Sequence, residues 1–216
     1  MGQMRYLNLW REERKTARME NNFIALNIRE YLQNENLGEE RLQELLSEFS
    51  CPKNQDVERF LKEQAIDFTK KHQSVTYLLL SPDDAALLGY FTITVKPLEV
   101  RAEPFSNTMR KRFARFSEFN SREQTYNMAA YLIAQLGKNF DNKVLGRITG
   151  AEILELANDK LASIQYDIGG MVSFVEADDN RKLLSFYENH GYKRFDTRLT
   201  TSKDEQRELI QLLKLI

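Results

Sequence analysis

The spacing of apolar residues changes along the chain from strand-like runs to helix-like stripes, with glycine, proline or asparagine at the changes. The clearest succession begins with Tyr131–Leu136, an apolar run of strand length that ends at Gly137. A turn follows between Gly146 and Gly150. Beyond it, apolar residues recur at the spacing of one helix face, at Ile153, Leu154, Ala157, Leu161 and Ile164. The pattern predicts a strand, a loop and a helix in direct succession.

The rest of the chain shows the same two patterns less sharply, and together they predict an α/β layered sheet with mostly antiparallel strands. The expected elements are a strand at Phe23–Leu32, helices beginning after Gly38 and Asn54, strands at Val75–Leu80 and Leu88–Val95 (ended by Pro97), one or two short helices within residues 96–128, a strand at Met171–Ala177, a helix from Asn180 to Gly191, a strand at Tyr192–Phe195 and a terminal helix at Glu205–Leu215.

Length and composition predict one domain with extensions. A chain of 216 residues that is 42% hydrophobic can bury one good core. We expect a basic N-terminal arm at residues 1–22, a domain at residues 23–200 and a C-terminal helix at residues 201–216.

Several functional classes are disfavoured by residue usage. No apolar run approaches the roughly 20 residues of a membrane helix, so we expect a cytoplasmic protein that does not contact a membrane. Cys51 is the only cysteine, which excludes an intrachain disulfide, and His72 and His190 are the only histidines. We therefore expect no metal site.

The turn after the central strand has the composition of a phosphate-binding loop. It comprises Gly146, Arg147, Ile148, Thr149 and Gly150, with Ala151 opening the predicted helix. A helix N-terminus offers free backbone N–H groups and the positive end of the helix dipole, and both favour phosphate. An ordinary strand-to-helix connection with glycines for turning explains the same residues equally well.

The segment Asn180-Arg-Lys-Leu-Leu-Ser-Phe-Tyr187-Glu-Asn-His-Gly191-Tyr192 resembles the Asn-x-x-Ala-x-x-Phe-Tyr-x-x-x-Gly-Phe segment of the GCN5-related N-acetyltransferase (GNAT) superfamily. The resemblance covers roughly residues 23 to 200. It implies a mixed, mostly antiparallel twisted sheet flanked by helices on both faces, with acetyl-CoA as cosubstrate and no metal. Within the phosphate loop, Leu145 and Ile148 depart from the family's Gln/Arg-x-x-Gly-x-Gly/Ala pattern, and Gly150 matches it.

The same resemblance assigns roles to individual residues. Tyr187 would donate a proton or hydrogen bond to the CoA thiolate. The cosubstrate would be held by a backbone amide at Leu136 or Gly137, by Asn180 and by residues 146–151. The transfer needs no protein nucleophile, because the acceptor amine attacks the thioester directly.

The acceptor amine must be neutral to attack, and the central strand Tyr131–Leu136 carries no Asp or Glu that could deprotonate it. A lysine amine is neutral in roughly one part in a few thousand at pH 7, and an α-amine in roughly one part in seven. Glu123, Glu152 and Glu176 are candidate bases acting through water, although capping or solvated roles suit them better. The sequence therefore favours an acceptor amine of low pKa.

A narrower resemblance points to the acetyltransferase toxins of toxin–antitoxin systems, which acetylate the amine of aminoacyl-tRNA. It rests on Phe49-Ser-Cys51-Pro-Lys-Asn54-x-Asp56-Val-Glu-x-Phe60-Leu61 and on Gly89-Tyr90-Phe91-Thr92. Pro52 stands where those toxins have glycine. The resemblance implies an aminoacyl-tRNA acceptor, an antitoxin partner and a homodimer. A protein or small-molecule amine is the alternative acceptor, and a protein that binds acyl-CoA or nucleic acid without turnover is the alternative function.

A basic and aromatic segment lies between Arg101 and Arg122. We expect its central part to contact the acceptor, with arginines on phosphates and an aromatic ring stacked on a base. The residues concerned are Arg110, Lys111, Arg112, Phe113 and Arg115. The alternative is an ordinary solvated helix face.

Overall fold

The chain forms an eight-stranded, mostly antiparallel sheet with helices packed beside it, in a computed structural model that describes residues 23–33, 38–202 and 205–216. The elements are, in order, β1 (Ile24–Asn27), α1 (Ile28–Gln33), α2 (Glu39–Ser47), α3 (Gln55–Arg59), a π-helical segment (Phe60–Gln64), α4 (Ala65–Lys70), β2 (Val75–Leu80), β3 (Leu87–Arg101), α5 (Asn107–Phe113), β4 (Glu118–Asn120), β5 (Thr125–Lys138), α6 (Gly150–Ile168), β6 (Val172–Asp178), α7 (Arg181–Asn189), β7 (Lys193–Ser202) and β8 (Glu205–Leu215). The strand order is β1-β2-β3-β5-β6-β8-β7, with β4 beside β5. The predicted α/β class is confirmed.

The described residues divide into two compact units. The first contains the residues up to Thr92 together with Gln135–Leu156, and the second contains Ile93–Ala134 and Ala157–Ile216. β3, β5 and α6 each contribute residues to both units, and the single domain over residues 23–200 stays a prediction. The predicted basic arm, residues 1–22, lies outside the described residues.

The core of the first unit is built where amphipathic helices cover β1 and β2. Leu42, Leu46 and Phe49 are fully buried there, on and just after the helix predicted to begin after Gly38. Asn54 begins α3, because its side-chain oxygen accepts hydrogen bonds from the amides of Asp56 and Val57 at 3.0 and 3.2 Å.

The predicted first strand is too long. β1 ends at Asn27, whose side-chain oxygen accepts a hydrogen bond from the Arg29 amide at 2.9 Å, and α1 begins at Ile28. Residues 28–33 are therefore helical, and the spacing of Ile28, Tyr31 and Leu32 is itself helical. A local cap outweighs the β-propensity of the segment.

Two further predictions of secondary structure are wrong. β3 continues through Pro97 to Arg101, because alternating burial resumes at Leu98 and Val100 and a strand accepts proline where no partner needs its N–H. The terminal segment is strand β8 instead of a helix. It lies between β6 and β7, and the run Leu209–Leu215 is apolar on both faces, as interior strands are.

The second unit has a separate core, in which aromatic residues of the basic segment pack on β5 and β6. Phe105, Phe113 and Tyr126 form its aromatic part, with Phe174 and Phe195 from β6 and β7. Within this unit β5 pairs with β6 in parallel over only two residue pairs, Tyr131↔Ser173 and Leu132↔Phe174. Both strands continue beyond the last pair.

Asn139 ties the end of β5 to the rest of the first unit. Its side chain is 2% exposed and makes four hydrogen bonds. The oxygen accepts from the amides of Ser50 and Asp141, both at 3.0 Å. The nitrogen donates to the carbonyls of Leu87 at 2.8 Å and Glu48 at 3.3 Å. One amide thus fixes β3, β5 and the segment after α2 together.

We predict that Asn139→Ala destabilises the protein by about 2–4 kcal/mol, because four backbone groups lose their side-chain partner and part of that set is buried. Denaturant unfolding followed by circular dichroism measures the change. The matched control is Asn142→Ala at an exposed position three residues away, which should shift the midpoint negligibly. Equal midpoints for both variants would show that the Asn139 network contributes nothing to stability.

Candidate functional site

The residues predicted to act together fall in both compact units. Leu136, Gly137 and residues 146–151 belong to the first unit, whereas Asn180, Tyr187 and residues 110–115 belong to the second.

The phosphate-like loop ends in a capping box at the start of α6. The amide and the hydroxyl of Thr149 both donate to the Glu152 carboxylate at 2.7 Å, and the Glu152 amide donates back to the Thr149 hydroxyl at 3.2 Å. The Thr149 amide is therefore already bound to the Glu152 carboxylate and is not available to a ligand. Glu152 has the capping role that the sequence favoured over a catalytic base.

Other amides of the loop remain available. Those of Gly146, Ile148, Gly150 and Ala151 donate to no acceptor within the described part of the chain, whereas the Arg147 amide donates to the Val144 carbonyl at 3.1 Å. Gly150 and Ala151 open a 19-residue helix. Two adjacent free N–H groups at the start of a long helix are suited to an anion.

The Arg147 side chain is not free. Its guanidinium binds both carboxylate oxygens of Asp84, at 2.8 and 2.9 Å, and donates to the Ser81 hydroxyl at 2.6 Å. The Arg147 guanidinium holds the pKa of the Asp84 carboxyl well below its usual range. Sequence reasoning had assigned Arg147 to the cosubstrate, and the structure places its charge on Asp84.

Strand geometry distinguishes Leu136 from Gly137, the two residues of β5 whose backbone amides were predicted as alternatives to hold the cosubstrate. The Asn139 amide donates to the Leu88 carbonyl of β3 at 2.9 Å, and the Gly137 carbonyl also faces β3, because it lies 2.7 Å from where a Cβ on Gly89 would sit. Successive residues of a strand direct their N–H groups to opposite edges. The Gly137 amide therefore points towards β3, and the Leu136 amide points to the other edge of β5.

Gly89 and Gly137 let β3 and β5 approach closely at this point. A Cβ on Gly137 would lie 2.4 Å from Cε1 of Tyr90 and 2.8 Å from Cγ1 of Val57, so no other residue fits without displacement. The Tyr90 ring is fully buried, and its hydroxyl donates to the Val57 carbonyl at 2.6 Å. The Gly-Tyr pair of the toxin-like segment thus has a packing role.

Tyr187 combines a buried ring with an available hydroxyl. The residue is 8% exposed, and its ring contacts Tyr192 edge-on with centroids 5.7 Å apart. Its hydroxyl has no hydrogen-bond partner among residues 23–33, 38–202 and 205–216, and it is not one of the fully buried unpaired atoms there. Burial raises the pKa of Tyr187, which keeps the phenol protonated and able to donate a hydrogen bond at neutral pH.

Asn180 has a defined structural role. Its side-chain oxygen accepts hydrogen bonds from the amides of Lys182 and Leu183 at 3.0 and 3.3 Å, and this cap begins α7. Tyr187 lies on the inner face of α7, so Asn180 fixes the start of the helix that carries it.

Comparisons with known proteins find likeness in structure alone. No protein-family model matches the sequence, and no curated protein matches it. AtaT in complex with acetyl-methionyl-tRNAfMet is 17% identical over 76% of this chain and 85% of that one, with a TM-score of 0.55. AtaTR bound with acetyl-CoA is 16% identical over 91% and 94%, with a TM-score of 0.52. A Tyr→Phe mutant of KacT is 20% identical over 77% and 86%, with a TM-score of 0.54.

The chain has the fold of AtaT and KacT. At these identities the likeness establishes the architecture. The GNAT-like fold predicted from the segment Asn180–Tyr192 is confirmed.

The basic segment is only partly available for an acceptor. Phe113 is fully buried against Phe105 and Tyr126, so the predicted stacking of its ring on a base is wrong. The Arg110 guanidinium donates to backbone carbonyls of Ala102, Glu103 and Phe105 at 2.8–3.3 Å.

Three cations among the residues predicted to contact the acceptor remain exposed. Lys111, Arg112 and Arg115 make no ion pair with a carboxylate in the described ranges. They lie on and just after α5. This surface, which we call the α5 cation patch, is what remains of the predicted acceptor surface.

The other carboxylates considered as bases also have partners. Glu176 accepts two hydrogen bonds from Arg198 at 3.0 Å and one from Gln211 at 2.8 Å. Glu123 accepts from the Asn120 side chain at 2.9 Å. All three candidates from the sequence, including Glu152, are therefore held by neighbouring groups.

Neither a metal-binding cluster nor a membrane-spanning helix occurs among the described residues. No group of three or more His, Cys, Asp or Glu side chains within residues 23–33, 38–202 and 205–216 could hold a metal ion. No helix in that part of the chain is long and apolar enough to cross a membrane.

Sequence reasoning missed the partners of the loop. Nothing in the sequence links Asp84 or Ser81 to Arg147, because they lie 63 and 66 positions before it. The capping box carries a local signal, because Thr149 and Glu152 have the Thr-x-x-Glu spacing at the start of a predicted helix.

Proposed function

We propose that this protein is an acetyl-CoA-dependent N-acetyltransferase that acetylates the amine of an aminoacyl-tRNA. The observation that carries the proposal is Tyr187, a tyrosine whose ring is buried while its hydroxyl has no partner in the described chain. A residue of this kind is suited to donate to a ligand atom. The fold supports the proposal, because AtaTR has this fold and was solved bound with acetyl-CoA.

We assign the roles of the loop and the strand from their backbone amides. The pyrophosphate would be held by the amides of Gly150 and Ala151 at the start of α6. The Leu136 amide, directed away from β3, would donate to the thioester oxygen. That hydrogen bond stabilises the negative charge that develops on the oxygen when the carbonyl carbon becomes tetrahedral.

The reaction then forms one bond and breaks two. The acceptor nitrogen attacks the thioester carbon and forms the new C–N bond. The C–S bond breaks, the electron pair leaves with sulfur, and the proton lost by nitrogen passes to water. Tyr187 stabilises the thiolate by a hydrogen bond, since its raised pKa makes complete proton transfer to a thiolate unfavourable.

The acceptor is inferred from the state of the carboxylates. Glu123, Glu152 and Glu176 are each engaged by neighbouring groups, and the central strand Tyr131–Leu136 carries no Asp or Glu that could deprotonate an ammonium. The α-amine of an aminoacyl ester has a low pKa and needs no base. AtaT was solved with acetyl-methionyl-tRNAfMet, which supports this class of acceptor for a protein of the same fold. The α5 cation patch would bind its phosphates.

Binding without turnover is the second candidate, and the capping box favours it. The Glu152 carboxylate occupies the Thr149 amide and places a negative charge beside the proposed pyrophosphate site. Acetyl-CoA titration followed by measurement of CoA release separates the two functions. Binding without release would support the second candidate.

We predict that Tyr187→Phe lowers turnover by roughly 10²-fold or more and leaves acetyl-CoA affinity nearly unchanged, because only the group that donates to the leaving thiolate is removed. CoA release with a thiol reagent measures turnover, and calorimetry measures affinity. Tyr166→Phe is the matched control, because Tyr166 is 92% exposed. Unchanged turnover in Tyr187→Phe would remove this residue from the mechanism.

We also predict that replacing Lys111, Arg112 and Arg115 together by alanine weakens tRNA binding and lowers its salt slope by roughly two to three phosphate-equivalents. Filter binding at several salt concentrations measures both effects. Acetyl-CoA affinity should not change.

A charge-matched control comes from the first unit, where Lys62, Lys70 and Lys71 are paired with carboxylates. Replacing these three by alanine changes the net charge equally. If both triple variants weaken tRNA binding to the same extent, the α5 cation patch is not a specific contact.

A further inference from the structure

The turn between β2 and β3 is shaped to receive a guanidinium. The Ser81 amide donates to the Ala86 carbonyl at 3.0 Å, and the Ala85 amide donates back to the Ser81 carbonyl at 2.9 Å. Ala85 has a positive φ of 59° and is 5% exposed, so the turn is held tightly against the unit. Asp84 also accepts from the Ala86 amide at 3.3 Å, which orients its carboxylate.

Arg147 reaches this turn from the proposed pyrophosphate loop. Its two terminal nitrogens each bind a different oxygen of Asp84, and one also binds Ser81. This two-pronged geometry is the most directional form of an ion pair. The side chains are 31% and 54% exposed, so the pair is worth about 1 kcal/mol at most.

The loop is therefore fixed on both sides of its free amides. Buried side chains of Val144 and Ile148 anchor its backbone, and the ion pair anchors the residue between Gly146 and Ile148. Gly146 has a φ of 84°, a conformation that other residues rarely adopt. Without the ion pair, this glycine would leave the loop freer to change shape.

The Asp84 carboxylate neutralises the Arg147 guanidinium, and this limits how strongly Arg147 can bind a phosphate. A guanidinium with both prongs on a carboxylate presents little net charge and few free donors. An Arg147 that bound phosphate would have to leave Asp84, and removal of the Asp84 charge would then strengthen phosphate binding. If Arg147 instead positions the loop, removal of the Asp84 charge should weaken phosphate binding.

Resting on the proposed function, we propose that Asp84 and Ser81 are positioning residues for the cosubstrate loop: they hold Arg147 so that the amides of Gly150 and Ala151, rather than the guanidinium, bind the pyrophosphate of acetyl-CoA.

The test compares Asp84→Asn, Arg147→Ala and the double variant. Each should weaken acetyl-CoA binding about two- to fivefold, the double variant no more than either single one, because all three break the same interaction. KM for acetyl-CoA should rise by the same factor, with kcat changing less than about twofold. Affinity for S-acetyl-pantetheine, which lacks the phosphates, should stay the same.

Two controls sharpen the comparison. Asp83→Asn removes a neighbouring exposed carboxylate that makes no hydrogen bond to Arg147, and it should bind acetyl-CoA like the wild type. Asp84→Glu, which keeps the charge, should recover part of the lost affinity. Hydrogen exchange of the peptide spanning residues 144–152, measured without ligand, should be faster in Asp84→Asn and Arg147→Ala.

The outcomes separate the proposals. Tighter or unchanged binding in Asp84→Asn together with weaker binding in Arg147→Ala would make Arg147 a phosphate ligand and overturn the positioning role. Wild-type affinity and exchange in every variant would also overturn it while leaving the proposed function intact. A wild-type protein that does not bind acetyl-CoA would overturn both.

Discussion

The early end of the parallel ladder between β5 and β6 is the constraint on which the second unit depends. After Leu132 and Phe174 the two strands continue without pairing to each other, so their backbone groups at that edge are left for another partner. Unpaired strand edges are costly unless solvent or a ligand satisfies them. The same unit places on α7 a tyrosine hydroxyl that has no partner in the described chain. Both features leave hydrogen-bonding groups available.

In the first unit, side-chain contacts fix two irregular backbone segments, the end of β5 and the loop before α6. Asn139 satisfies four backbone groups around the end of β5, and Gly89 and Gly137 allow β3 and β5 to approach. The capping box of Thr149 and Glu152 starts α6, and the Arg147–Asp84 pair fixes the preceding loop. These contacts leave the amides of Gly150 and Ala151 without an acceptor in the described part of the chain. A loop held in this way can bind an anion without a large loss of conformational entropy.

Local patterns predicted the strand, loop and helix between Tyr131 and Ile168, the capped helix at Asn180 and the resemblance to the GNAT fold. They failed where contacts between residues far apart in the sequence determine the secondary structure, the burial or the partner of a residue. β8 has a spacing of leucines that fits a helix, yet two neighbouring strands hold it extended. Phe113 looked like a surface aromatic among arginines, yet it fills a core that no local pattern reveals. The Arg147–Asp84 pair joins positions 63 residues apart. The amide direction at Leu136 follows from a hydrogen bond at Asn139 that only the fold provides.

The proposed activity of this protein is transfer of an acetyl group from acetyl-CoA to a low-pKa amine. Its most direct test incubates the protein with acetyl-CoA and methionyl-tRNA, uncharged tRNA or a lysine-containing peptide, while CoA release and the acetylated product are measured in the same sample. We expect release of one CoA for each acetylated α-amine with the charged tRNA, and much slower release with the other two. Acetyl-CoA binding without CoA release in any of the three mixtures would contradict an acetyltransferase and leave a cosubstrate-binding protein of the same fold.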